Sequence, residues 1–333
     1  MKILVTGGTG FIGFSLVRKL LSQGHDVWVI GRSANPPSNK NFEGVTYRSC
    51  NLCHENIPDS IMKGTELVFH VAAKAGIAGT YSQYYSANYQ ATRNVIESCK
   101  SSGVSRLVYT STPSVTFSAR SIRAGNESLP YVKGKASFYA YSKALAEKAV
   151  LNAHDPETLQ TLALRPHLVW GAGDPHLLPR VIERHRKGQL KRVGDGKNKV
   201  DLTHIDNVCH AHLCAMERLL EKKDTGGKAY FVGQEEPILL WPWLNDLFGK
   251  LEMPALTKSI SFRKAHLAGL VLEKCWSAFR LNGDPPMTRF VACQLAHDHW
   301  FSSQSAKDDL GYEPITNMED CLEKTLPWLK SMI

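Results

Sequence analysis

A doubly wound parallel α/β sheet, followed by a smaller and mostly helical lobe, is the fold the sequence predicts. Three observations carry that prediction. The first thirty residues read strand, glycine turn, helix, strand. Short apolar runs then alternate with helical patterns as far as Arg165-Pro166. From about Trp170 the alternation breaks and helical segments dominate. Such alternation buries parallel strands between two helical layers and places ligands at the carboxyl ends of the strands.

Residues 2–6 (K-I-L-V-T) form an apolar run long enough for a strand covered on both faces. Gly7-Gly8-Thr9-Gly10-Phe11-Ile12-Gly13 follows, and Leu16, Val17, Leu20 and Leu21 then recur on one side of a helix over 14–22. Gly24-His25 ends that helix, and 26–30 is the second strand. Glycines at 7, 10 and 13 let the backbone turn tightly and approach a pyrophosphate, which sits on the helix N-terminus. Placed between a first strand and a helix, they mark a dinucleotide site. After the second strand, an acidic residue would hold the ribose 2′-hydroxyl of NAD, whereas Arg32 with Ser33 suits a 2′-phosphate. The expected cofactor is therefore NADP, with NADPH preferred over NADH. The alternative is a surface arginine in the loop that continues through Asn35-Pro36-Pro37.

Further strands are expected at 45–48, 67–71, 106–112 and 162–166, with a helix over 88–99. Small residues at Ala72, Ala73, Ala75 and Gly76 let backbone lie against a flat ligand at the end of the fourth strand. Lys74, Thr112, Pro166 and His167 also fall at strand ends. Beyond the loop at 171–175, a helix is expected over 178–186 and a short strand over 200–203. A helix over 206–220 and a strand over 229–232 follow. From Trp241 the chain is mostly helical, with turns at 282–286 and Gly311-Tyr312. This divides the chain into a cofactor domain, 1–170, and a substrate lobe, 171–333, with returns to the first domain at about 204–232.

A length of 333 residues allows one elaborated domain or two unequal ones. Hydrophobic content of 43% and charged content of 21% fit a soluble globular chain. No run approaches the ~18 consecutive apolar residues of a membrane span. Met1-Lys2 leads straight into Ile3-Leu4-Val5 without a signal-peptide layout, so a cytoplasmic protein is expected. The eight cysteines are scattered without a disulfide framework. Cys50-Asn51-Leu52-Cys53 has no second C-x-x-C to complete a zinc site. His204, Cys209, His210 and His212 lie at the start of a helix without a metal-ligand spacing, so no metal is expected. The formal charge of +9 concentrates between Arg184 and Lys199. No aromatic interleaving accompanies it, which argues against nucleic acid and for a solvated basic face. Attraction for an anionic substrate or acidic partner is the alternative.

Tyr139 and Lys143 lie four residues apart among helix formers, a spacing that stacks both on one helix face. Free tyrosine titrates near 10, and a cation within a few ångströms lowers that by roughly 1–3 units. Such a phenol can donate a proton to a carbonyl oxygen. Chance also supplies this spacing, so the pair takes its meaning from the glycine turn and the Thr112 hydroxyl.

T-G-G-T-G-F-I-G at 6–13, A-A-x-x-G at 72–76, the hydroxyls ending the fifth strand, Tyr139-x-x-x-Lys143 and Arg165-Pro166 together resemble the extended short-chain dehydrogenases/reductases over essentially the whole chain. Within them the chain looks like the 3β-hydroxysteroid dehydrogenase-like branch. Segments 70–76, 109–115, 164–171, 174–177 and 286–290 are similar to the bacterial 2-alkyl-3-oxoalkanoate reductases of long-chain olefin biosynthesis. The resemblance implies an NAD(P)-binding Rossmann fold and reduction of a ketone. Tyr139 would be the general acid, Lys143 would lower its pKa and bind the nicotinamide ribose, and Thr112 would hold the substrate carbonyl. Thr112 stands where the family usually has serine, and Ser111 and Tyr141 are the weaker competitors. Cofactor contacts are implied for Gly7, Thr9, Gly10, Phe11, Ile12 and Gly13, for Arg32, Ser33, Asn51 and Leu52, and for Ala72, Ala73, Lys74, Asn88, Thr110 and Pro166. Asn51 replaces an aspartate that contacts adenine in many relatives, and Ala91 replaces the glycine of an Asn-x-x-Gly-Thr pattern. A homodimer through the helices bearing Asn88 and Tyr139 is also implied, with other enzymes of the same pathway as further partners.

A 2-alkyl-3-oxo acid needs a cation for its carboxylate and apolar walls for two chains. Lys74 is the first candidate cation and His167 the second, the alternative for Lys74 being an exposed loop lysine. Phe117, Trp170 and the apolar residues recurring between Phe262 and Phe279 are candidate walls. That stripe is more often plain core, and with Arg263, Lys264 and Lys274 beside it, it also reads as a membrane-surface contact. The alternatives to a 3-oxo acid reductase are a sterol or 3β-hydroxysteroid dehydrogenase, a nucleotide-sugar epimerase or dehydratase, and a non-catalytic NADP sensor. The intact tyrosine and lysine argue against the last.

Overall fold

Strands that bury every side chain need cover on both faces, and the short apolar runs find it in a central seven-stranded sheet. The computed structural model describes residues 1–76, 79–135, 137–221, 225–279, 281 and 285–333. Its main strands are β1 (Lys2–Thr6), β2 (Asp26–Gly31), β3 (Val45–Ser49), β4 (Leu67–His70), β5 (Arg106–Thr110), β6 (Gln160–Pro166) and β7 (Lys228–Val232). They lie in the order 3-2-1-4-5-6-7, all parallel. Val5 stands opposite Val29 on one side and Phe69 on the other. Sheet growth reverses between β1 and β4, the switch point at which doubly wound sheets open a crevice for ligands.

The two-residue period of the strands sorts the core. Ile3, Val5, Phe69, Val108 and Leu164 face the helices Phe11–Ser22 and Ile205–Leu220. Leu4, Val68, Leu107, Tyr109 and Ala163 face Ala91–Ser101 and Phe138–Asn152. Ile205–Leu220 and β7 therefore return to the sheet, and so do Ala306, Leu310 and Tyr312 beyond them. A separate core gathers Trp170, Leu178, Ile182, Leu247, Phe248 and Leu329. No helix among the described residues is long and apolar enough to cross a membrane.

Three local departures from the expected elements bear on the site. β5 stops at Thr110, because Thr112 caps a short 3-10 turn, Pro113–Thr116, accepting the Ser114 N–H at 3.2 Å. The helix expected over 88–99 is a π turn, Tyr85–Gln90, running into Ala91–Ser101. The third is a four-stranded sheet of Ile238–Leu239, Lys199–Val200, His299–Phe301 and Ile122–Gly125, which ties the loop after β5 to the second half of the chain. Pieces of two to four residues show no period, and of these strands the sequence marked only Val200, within the strand expected over 200–203. Of the turn expected at 282–286, residues 282–284 lie outside the described residues.

Candidate active site

The glycine turn is a backbone-walled cleft at the switch point. Gly7 leaves β1 at φ 70°, and a Cβ there would stand 2.6 Å from the Ala72 nitrogen at the end of β4. A Cβ on Gly13 would collide with the Gly7 carbonyl. Gly10 caps the Phe11–Ser22 helix without a side-chain hydrogen bond, and the first turn holds no acidic residue. The N–H groups of that turn thus meet no competing side chain, which suits an anion. Side chains at 7 and 13 would clash with this closely packed backbone, so the tight glycine turn with its uncapped helix N-terminus fits a dinucleotide pyrophosphate.

At the end of β2, Arg32 and Ser33 are exposed while their carbonyls are pinned by Ser49 Oγ (3.2 Å) and Tyr47 Oη (2.8 Å). Lys40, which the sequence did not single out, reaches back over the turn. Its Nζ donates to the Thr9 carbonyl at 2.9 Å and lies 4.8 Å from the Phe14 ring centre. Phe42 packs against Phe14 (5.4 Å) and Tyr47 (6.2 Å), holding the loop there. Asn51 Oδ1 accepts the Cys53 N–H, and the carbonyl of buried Leu52 accepts from Asn94 Nδ2 at 2.8 Å.

Across the switch point stand Thr112, Tyr139 and Lys143. Ser137 caps the Phe138–Asn152 helix by accepting the Ala140 N–H, and Tyr139 lies in the first turn. Burial raises the Tyr139 phenol above its ordinary pKa, opposed by the Thr112 hydroxyl near it. The expected lowering by Lys143 is not found. Lys143, 2% exposed, donates its Nζ to the Thr110 carbonyl at 2.6 Å and lies 4.1 Å from the Tyr109 ring centre. Burial brings its pKa down to about 7, opposed by Glu147. Ser111 is buried, its hydroxyl without a hydrogen-bond partner among the described residues. Tyr141 packs on Tyr81 at 6.2 Å.

Residues 4–263 match the 3-beta hydroxysteroid dehydrogenase/isomerase family. The chain belongs to that family. Over 326 residues it is 44% identical to the 2-alkyl-3-oxoalkanoate reductase of Stenotrophomonas maltophilia (strain K279a), covering 97% of this chain and 98% of the relative. Over 331 residues it is 35% identical to the sterol-4-alpha-carboxylate 3-dehydrogenase, decarboxylating, of Bos taurus, covering 98% and 91%. Among solved structures, the UDP-glucuronic acid 4-epimerase from Bacillus cereus in complex with NAD superposes with a TM-score of 0.76. It covers 100% of this chain and 99% of its own at 22% identity, a likeness of fold. As a member of the 3-beta hydroxysteroid dehydrogenase/isomerase family the protein is an oxidoreductase of a small molecule that uses a nicotinamide dinucleotide.

Glu147, Tyr131 and Thr92 join the candidate site without having been marked by the sequence, and they meet Arg165, Asn88 and Thr110, which it did name. Glu147 and Arg165 form a buried bidentate pair, Nε to Oε2 at 3.0 Å and Nη2 to Oε1 at 2.6 Å, with Tyr131 donating to Oε1 at 2.7 Å. The pair fastens the helix of Tyr139 to β6. His70 joins β4 to its neighbours, with Nδ1 2.6 Å from Thr6 Oγ1 and Nε2 2.9 Å from Thr92 Oγ1. Thr6 Oγ1 accepts the Ala72 N–H and Thr92 Oγ1 donates to the Asn88 carbonyl. These contacts assign the His70 proton to Nε2. Asn88 Oδ1 accepts the Lys74 N–H at 2.7 Å, and its Nδ2 donates to the Lys74 carbonyl (3.1 Å) and to Ser142 Oγ (2.9 Å). Thr110 serves through both its groups, with its carbonyl on Lys143 and its hydroxyl 2.7 Å from His212 Nε2.

Lys74 is half-buried, 5.2 Å from the Tyr84 ring centre, and the edge of Tyr84 meets Tyr139 at 6.4 Å. Two expected substrate residues are corrected. His167 is buried and donates from Nε2 to His299 Nδ1 at 2.7 Å, because His299 Nε2 is committed to the Gln294 carbonyl. Burial and His299 push its pKa well down, so it stays neutral and cannot balance a carboxylate. Trp170 is fully buried against His204 (5.1 Å) and Trp243 (5.5 Å), a core residue rather than a channel wall. Phe117 does line a cavity, together with Ser114, His167, Cys293 and Phe301. All eight cysteines are free, and burial pushes Cys50 up to about 11. Among the described residues, no three His, Cys, Asp or Glu side chains gather to hold a metal.

Buried neutral imidazoles make the fold sensitive to acid. Burial lowers His70 to about 3, and His212 and His299 to about 4. The unfolded chain takes up these protons near 6.5. Each histidine therefore contributes stability that is complete above pH ~6.5 and falls by about 1.4 kcal/mol per pH unit below it, down to the folded pKa. The melting temperature is expected to drop steeply between pH ~6.5 and ~4, with a shallower drop in His212→Asn. A flat profile, or an unchanged slope in the variant, would show that these rings are not held neutral.

Proposed function

We propose that the protein reduces the 3-oxo group of a long-chain 2-alkyl-3-oxoalkanoic acid to a hydroxyl, with NADPH as the preferred reductant, in the cytoplasm and within hydrocarbon (olefin) biosynthesis. The observation that carries this reading is the meeting of Thr112 with Tyr139, close enough for the hydroxyl to oppose the rise in the phenol's pKa, while Lys143 on the same helix donates to the Thr110 carbonyl at 2.6 Å. Two hydroxyl donors at one point suit a carbonyl oxygen that gains charge. The relative named for this reaction, 44% identical over nearly its full length, supports the substrate class.

A reduced nicotinamide bound in the cleft supplies the hydride. Thr112 and Tyr139 hydrogen-bond the substrate oxygen, and Tyr139 gives up its phenolic proton as the alkoxide forms. A phenol raised by burial keeps its proton at neutral pH until that charge develops. Lys143, held by the Thr110 carbonyl, is the group for the nicotinamide ribose hydroxyls. Arg32, Ser33 and Lys40 gather positive charge and a hydroxyl near the glycine turn, which supports a 2′-phosphate. With His167 neutral, Lys74 is the cation for the substrate carboxylate. On this reading 1–170 with the returning segment holds the cofactor and the remainder shapes the substrate. A homodimer through the helices around Asn88 and Tyr139 has support in the tyrosine row Tyr81, Tyr85, Tyr89 and Tyr141 along them. The second reading, a sterol dehydrogenase, is favoured by the 35% identity to the Bos taurus enzyme and would use the same three groups.

Tyr139→Phe should bind NADPH normally while turnover falls by about 10²–10⁴-fold; turnover near that of the native enzyme would remove Tyr139 as the acid. In fluorescence titrations, Arg32→Asp and Lys40→Ala should each weaken NADPH by about tenfold or more and leave NADH nearly unchanged. Equal losses for both cofactors would dismiss the 2′-phosphate role.

A further inference from the structure

Half of the large apolar side chains that stand exposed among the described residues belong to one helix, Phe262–Ala278, and the few residues after it. They are Leu267 (60% exposed), Val271 (52%), Phe279 (73%) and Leu281 (47%). Exposure alone says little, since scattered surface leucines are normal. Here Leu267 and Val271 stand one turn apart on one face, and Phe279 and Leu281 follow just past the helix's C-terminal end. The opposite face is committed, with Ala265 buried and Gly269 so close to the next helix that a Cβ would stand 2.6 Å from the Arg289 nitrogen.

The charges around this face have one sign. Arg263, Lys264 and Lys274 are exposed on the same helix. Its acidic residue, Glu273, is turned onto Arg289, accepting from the backbone N–H at 2.7 Å and from Nε at 2.8 Å. The start of the helix also meets the basic run noted in the sequence, because Arg192–Val193 pairs in parallel with Ser259–Ile260 just before Phe262. Arg186, Lys191 and Arg192 are exposed there. Two copies of this face brought together would oppose lysine to lysine and arginine to arginine, with no carboxylate on the helix left to relieve them. An anionic surface meets no such repulsion.

We propose that the Phe262–Ala278 helix is an interfacial anchor that lays Leu267, Val271 and Phe279 onto an anionic lipid surface, with Lys264, Lys274 and the adjoining basic run toward the headgroups. Apolar and basic side chains sharing one helix face, on a helix not long and apolar enough to cross a membrane, are the pattern of segments that lie in the membrane interface. The helix packs on Arg289–Ala296, which supplies Cys293 and Gln294 to the cavity beside the Thr112 turn, so the contact surface lies one helix away from that cavity. This proposal does not depend on the identity of the substrate.

The test is co-sedimentation of the full chain with vesicles of phosphatidylglycerol and phosphatidylcholine in equal parts, against vesicles of phosphatidylcholine alone. Binding to the mixed vesicles is expected, with little to the neutral ones, and it should weaken strongly near 1 M salt, where the Debye length is about 3 Å. Leu267→Glu/Val271→Glu and Lys264→Glu/Lys274→Glu should each cut partitioning by about tenfold or more. Both should keep the melting temperature and NADPH affinity of the native protein, which separates loss of anchoring from loss of fold. No binding to anionic vesicles, or binding that survives both double variants, overturns the proposal. So does a fall in the native molecular mass with Leu267→Glu/Val271→Glu, which would assign the face to contact between copies of the chain.

Discussion

Lys143 carries an ammonium into a site almost closed to water, and the arrangement around it follows from accommodating that charge. An isolated buried ammonium costs several kcal/mol. Here the Thr110 carbonyl accepts from it at 2.6 Å, the face of Tyr109 lies under it, and Glu147 stands one turn further along the helix. Glu147 is buried in its turn and is balanced by Arg165 on β6 and by Tyr131. One charge thus fixes the end of β5, the helix of Tyr139 and Lys143, and β6 relative to one another. The same burial brings Lys143 to about 7, which leaves its protonation responsive near neutral pH.

The sheet supplies the second half of the arrangement. β1 and β4 part at the switch point, and the Gly7 turn presses against Ala72 there. The Thr6–His70–Thr92 contacts cross from β1 through β4 to the helix beneath. Asn88 then holds both backbone groups of Lys74 and the Ser142 hydroxyl. Ser142 Oγ in turn donates to the Tyr139 carbonyl at 2.9 Å. The glycine turn, Lys74 and Tyr139 are therefore linked by a run of buried and partly buried hydrogen bonds. The π turn at Tyr85–Gln90 sits where Asn88 must reach inward, a place where such turns recur at functional sites.

What was legible in the sequence is what neighbours along the chain decide. The glycine turn, the Tyr139 to Lys143 spacing and the alternation of strand and helix are local patterns, and the residues at 7–13, 112, 139 and 143 could be named from them. Lys40 on Thr9, His70 on Thr6 and Arg165 on Glu147 join residues 31, 64 and 18 positions apart, and no local pattern announces them. His167 and Trp170 were misjudged for a related reason. A strand end marks the right edge of the sheet but not the depth of a side chain, and one ring is kept neutral by burial beside His299 while the other fills the second core. The lowering of Tyr139 by Lys143 failed because spacing on a helix face does not say which acceptor a long side chain chooses.

Identity of the ketone is the point on which the functional reading turns. The most direct measurement follows NADPH absorbance with the purified protein offered long-chain 2-alkyl-3-oxoalkanoic acids, 3-oxosteroids and UDP-sugars, with product analysis. Stoichiometric consumption of NADPH with the oxo acids, yielding the 3-hydroxy acids, with little reaction on the other classes, is the expected result. Turnover confined to steroids or sugars, or no turnover with any ketone, would contradict it.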